Sequence, residues 1–129
     1  STQSRSSAAS DVYKRQTPDE GIRARVDHTD LRVNAYAQQV IDGVITGQER
    51  LDEALTSYSR GWSLDRMPAV DRVILRVGAW ELLFNDEVPD GVAVAEAVSL
   101  AQQLSTDESP EFVNGLLGRL QQVKPTLLA

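Results

Sequence analysis

After residue 30, apolar side chains recur at three- and four-residue steps along most of the chain. This is the spacing of one face of an α-helix. Val33, Tyr36, Ala37, Val40 and Val44 keep this step, Ile41 and Ile45 widen the stripe, and Gly47 stops it, which predicts a helix over 31–46. Leu51, Ala54, Leu55 and Tyr58 share the face of a shorter helix over 49–59, with Gly61 just beyond its end. Pro68 suits a first helical turn, where its missing N–H costs nothing. From there Val70, Val73, Ile74, Val77, Trp80 and Phe84 form one face of a helix over 69–86, while Leu75, Leu82 and Leu83 add apolar surface elsewhere. A helix apolar on most sides belongs at the centre of its domain. Pro89 opposes its continuation. Val94, Ala97, Val98, Ala101 and Leu104 make a stripe of small and medium residues over 91–104, suited to close helix approach. Ser109 reads as an N-cap and Pro110 as the first position of a last helix over 110–122, with Phe112, Val113, Leu116, Leu117, Leu120 and Val123 inward and Pro125 as its stop. No strand-like alternation competes, so the fold class is all-α: a compact bundle of about five helices, without internal repeats.

Two stretches stand outside this pattern. Residues 1–16, STQSRSSAASDVYKRQ, have no apolar period and read as a disordered or foreign tail. Within them, SAASDVYKRQ resembles a read-through scar found at the ends of environmental gene fragments. Residues 17–30 are polar and read as a connector into the helical domain, which makes 17–129 the functional unit.

Composition changes the picture in three ways. Hydrophobic residues make up 41% of the 129, enough for one globular domain with a modest core. The net charge of −6 argues against a phosphate-binding surface, which needs clustered Lys and Arg. There is no Cys, so disulfides and thiolate metal sites are excluded, and a reducing cytoplasm is the expected setting. No apolar run reaches ~18 residues, so no membrane partner or span is expected.

Candidate chemistry is sparse. His28 is the one histidine and sits in a polar connector, so no metal and no cofactor are expected. No glycine-rich phosphate loop and no nucleophile elbow appears, which leaves no catalytic residue to name. Asp107, Glu108 and Glu111 cluster where the last helix begins, and the positive end of the helix dipole accounts for them better than acid-base catalysis does. Arg72 and Arg76, four apart, share a helix face, and with Arg60, Arg66 and Arg119 a basic strip there could hold phosphate; on periodicity alone a solvated face paired with Asp71 and Glu81 explains it better. Trp80 reads as core, Trp62 as a hinge between helix pairs, and Tyr36 fits either core or surface.

Three segments carry a resemblance. They are RGWSLDRMPAVDRVILRVGAWELL at 60–83, VPDGVAVAEAVSLAQQLSTDESPEFVNGLLG at 88–118 and, more weakly, LRVNAYAQQVIDGVITGQERLDEAL at 31–55. In order and spacing they resemble the NusB family of transcription antitermination proteins, its actinobacterial members above all. The resemblance implies an antitermination factor, not an enzyme. Such a factor binds single-stranded boxA RNA of the ribosomal RNA leader together with a small-subunit ribosomal protein, NusE, and joins the RNA polymerase complex. It places RNA contacts at Asp107, Glu108, Ser109 and the following backbone amides, at Phe112, and at Arg72, Arg76 and Arg119. Phe112 fits a stacking role and a core role equally. An exposed Asp71, with Arg72, is expected to face the ribosomal protein. The family opens with an arginine-rich helix that this chain lacks or replaces, so weak RNA binding by the chain alone is expected. Two alternatives share the pattern: the N-terminal domain of an rRNA cytosine methyltransferase, and a homodimeric interaction module.

Overall fold

The computed structural model describes residues 34–129. Five helical segments run through them: α1 over 34–46, α2 Gln48–Tyr58, α3 Ala69–Phe84, α4 Asp90–Leu104 and α5 Ser109–Leu127. No strand occurs among the described residues. The expectations for residues 1–16, for His28 and for the start of the first helix lie outside them.

Residues 38–129 form a compact unit that holds the core. Helix α3 is its axis, packing against α2, α4 and α5, while α5 also packs on α4 and α2. The inward faces are largely those the sequence predicts. Leu51, Ala54 and Leu55 of α2 are buried, as are Val113, Leu116, Leu117 and Leu120 of α5. The small-residue stripe of α4 buries Val94, Ala97 and Ala101, with Ala93 beside them, but Leu104, expected on it, is exposed because it lies in the last turn of the helix. The stripe lets α3 come close: a Cβ added at Gly78 would lie 2.8 Å from Leu117 Cδ1 and 3.2 Å from the Ala97 Cβ. Trp80 is core and lies over Gly43 of α1, where any side chain would overlap the indole.

Helix α3 is rotated relative to expectation. Val70 and Val73 are 40% and 58% exposed, whereas Asp71, Ile74, Leu75, Gly78 and Leu82 face inward. The inward line still follows helical steps, but it contains a carboxylate and a glycine, so a reading weighted by hydrophobicity picks the wrong phase.

Two helix ends also differ. Helix α5 passes Pro125 and ends at Leu127. So close to the terminus the proline forfeits one backbone bond without breaking the rest of the helix, and Leu128 N–H still reaches the Lys124 carbonyl. Ser109 does not cap α5. Its hydroxyl turns inward to Asp71, and no side chain caps that end.

Candidate nucleic-acid interface

A cleft of about 740 Å³ opens where the turn after α2 meets the first two turns of α5. Its size is within the ~300–1,000 Å³ of typical ligand clefts. The structure brings four of the sequence-derived residues to it: Asp107, Glu108, Phe112 and Arg119. It adds Gly61, Trp62, Asn114 and Gly115, together with Arg60 of the basic strip and Glu111 of the acidic cluster, none of which the sequence assigned to the RNA surface.

Each wall has a local cause. Gly61 has φ +99°, a left-handed conformation natural to glycine, and it reverses the chain after α2. The Ser59 hydroxyl donates to the Trp62 carbonyl and fixes this turn. Arg72 donates from Nη1 to the carbonyls of Leu64 (2.9 Å) and Met67 (3.1 Å), tying the rest of the loop to α3. Trp62 thereby meets Phe112 edge to face, with centroids 4.9 Å apart and planes inclined by 63°. Both rings are half-buried, so Phe112 neither belongs wholly to the core nor stands free. Arg119 donates from Nε to the Tyr58 carbonyl at 2.9 Å, satisfying an end of α2 and leaving its terminal nitrogens beside Gly115.

Beneath the cleft lies a polar pin. Asp71 and Ser109 are both fully buried. The Asp71 carboxylate accepts from the Ser105 hydroxyl at one oxygen and from the Ser109 hydroxyl, at 2.8 Å, at the other. Ser109 Oγ in turn accepts from the Thr106 N–H at 3.3 Å. The network joins the start of α3, the end of α4 and the start of α5. The exposure expected of Asp71 is therefore overturned. A carboxylate with both oxygens bonded inside the fold is stable there because its hydrogen bonds replace water.

The basic strip is not a strip. Arg72 serves the loop, and Arg76 forms a two-pronged pair with Asp52 of α2 at 2.8 and 3.0 Å. That hydrogen-bonded carboxylate raises the pKa of Arg76 above its ordinary value, against a smaller opposing effect of burial. Neither arginine lines the cleft. The amides after Ser109 are mostly used as well. Ser109 N–H bonds the Thr106 carbonyl, Pro110 has none, and Phe112 N–H bonds the Glu108 carbonyl, which leaves that of Glu111. The cleft thus holds two cations, Arg60 and Arg119, against Asp107, Glu108 and Glu111. Its charge disfavours phosphate, while its rings and carboxylates suit base faces and base N–H groups.

Among the described residues, no cluster of His, Asp or Glu could hold a metal ion, and no helix is long and apolar enough to cross a membrane.

Comparison with known proteins agrees with this frame. The profile described as NusB family matches residues 2–122. The transcription antitermination protein NusB of Pseudarthrobacter chlorophenolicus is 65% identical over 108 residues, covering 84% of this chain and 79% of the relative. The corresponding protein of Thermobifida fusca is 54% identical over 108 residues, 84% of this chain and 76% of its own. The solved T. maritima NusB superposes with a TM-score of 0.67 at 34% identity, over 70% of this chain and 64% of that one. Sequence and helical frame point the same way, and the chain belongs to the NusB family.

Proposed function

We propose that this chain, an antitermination factor and not an enzyme, binds boxA-type single-stranded RNA through the cleft at the start of α5. It does so with the ribosomal protein NusE, and the assembly joins RNA polymerase in the cytoplasm. The observation that carries the reading is the convergence of Phe112, Asp107, Glu108 and Arg119 on one cleft with a second aromatic wall. Single-stranded RNA is recognised by splayed bases laid on aromatic faces and read at their edges. Ser109 acts from below, holding the loop through Asp71 rather than touching the strand.

Charge divides the labour. Six of the thirteen Lys and Arg lie in residues 1–33. Of the others, Arg72, Arg76 and Lys124 are committed to intramolecular bonds. The cleft therefore supplies base contacts, and phosphate neutralisation by this region is slight. The ribosomal-protein contact is assigned to α3, where Val70 and Val73 offer exposed surface. Asp71 and Arg72 serve that contact indirectly, by holding the helix and its loop in place.

The test is a fluorescence-anisotropy titration of a labelled boxA-type RNA with the full chain, with and without NusE, beside a scrambled RNA. Preference for the boxA-type sequence that sharpens with NusE is expected. Equal binding of both RNAs under both conditions contradicts the reading.

A further inference from the structure

We infer that Trp62 is a second base-stacking platform, facing the same RNA strand as Phe112 and setting the angle at which the strand enters the cleft. The inference rests on the RNA reading above. Four observations carry it. First, Trp62 is only half-buried, whereas Trp80, the other tryptophan, is 8% exposed and packed into the core. Second, its indole N–H makes no hydrogen bond among the described residues, so the polar edge of this half-buried ring is left for water or a ligand. Third, the turn that presents it is fixed from both sides, by Gly61 and the Ser59 hydroxyl before it and by Arg72 on Leu64 and Met67 after it. A platform held in advance loses little entropy when a base arrives. Fourth, Arg60, two residues before it on the cleft rim, is exposed and makes no ion pair or side-chain hydrogen bond among the described residues. It is free to meet the phosphate attached to a base that lies on Trp62.

The geometry says more about the strand. The two ring planes are inclined by 63°. Bases lying flat on each ring would be inclined to one another by a similar angle and could not stack together. The cleft thus suits a step of the RNA that is unstacked and turned, which a single strand adopts far more readily than a duplex.

The experiment uses the full chain, a fluorescein-labelled boxA-type RNA for affinity and the same RNA unlabelled for tryptophan emission. Trp62→Leu is expected to bind about 5- to 150-fold more weakly, the fold-range of a lost base stack. Trp62→Phe is expected to stay within about 5-fold of the original chain at an unchanged melting temperature, since a ring remains. A purely packing role would leave RNA affinity equal in the two variants once both are folded. RNA should also quench the emission of the original chain strongly, and that of Trp62→Phe, which reports Trp80 alone, little. RNA bound with unmoved Trp62 emission and unchanged affinity in Trp62→Leu overturns this inference and leaves the RNA reading standing. No binding of RNA by the original chain removes both.

Discussion

Replacing Asp71 by lysine separates the buried pin from the exposed partner contact that the sequence suggests. The carboxylate is fully buried and accepts from two hydroxyls, one of them on the fully buried Ser109. Hydrogen bonds to a charged group contribute about 1.5–3 kcal/mol each, and the hydroxyls left behind lose their acceptor. Asp71→Ala should therefore cost about 3 kcal/mol. In a unit the size of residues 38–129, each kcal/mol moves Tm by roughly 4–8 °C, so Tm should fall by about 12 °C or more. Asp71→Lys should do worse. It introduces an ammonium among donors, in the first turn of α3, where the helix dipole also repels it. Asp71→Asn keeps the volume and one acceptor oxygen and should lose only about 1 kcal/mol. Thermal unfolding followed by far-ultraviolet circular dichroism reads all three. An Asp71→Lys protein melting within about 2 °C of the original would refute the buried-pin account and restore an exposed carboxylate.

Gly43→Ala should destabilise by about 1–3 kcal/mol in urea unfolding, because its methyl group would overlap Trp80, although alanine normally favours a helix over glycine by about 1 kcal/mol. A gain in stability there would refute the close approach. Asp52→Asn should cost about 0.2–1 kcal/mol, shrinking at high salt, since its pair with Arg76 is partly exposed; a salt-independent loss would contradict this. The double change Asp107→Asn with Glu111→Gln removes two negative charges from the cleft. It should tighten RNA binding at low salt by anisotropy if phosphates pass close by, and weaken it if those carboxylates accept from base N–H groups. Unchanged affinity at every salt concentration would exclude both carboxylates from the RNA surface.

Much of the fold was legible because helical periodicity survives in three buried stripes: Leu51–Leu55, Val94–Ala101 and Val113–Leu120 face inward as their spacing requires, whereas Tyr36, Ile41 and Ile45 of α1 and Leu104 of α4 stand exposed. Helix α3 was misphased because its inner line runs through Asp71 and Gly78, which no hydrophobic count favours. The site was half legible. Phe112 and the acidic loop announce themselves at a helix start, but Trp62 reaches them across about fifty residues of sequence through a glycine turn. Its only local signal is an aromatic following Gly61. The resemblance implied RNA contacts at Arg72 and Arg76, while spacing reveals only that they share a face and not what that face meets. Leu64, Met67 and Asp52 hold them from neighbouring segments.

The cleft at the start of α5 as the surface for RNA bases is tested most directly by Phe112→Ala in a salt series of anisotropy titrations with boxA-type RNA. Loss of one stacked base should weaken binding by about 1–3 kcal/mol while log K against log salt keeps its slope, because no phosphate contact is removed. Affinity equal to that of the original chain at every salt concentration would contradict the account, and so would a loss accompanied by a shallower slope, which would make this a phosphate surface instead.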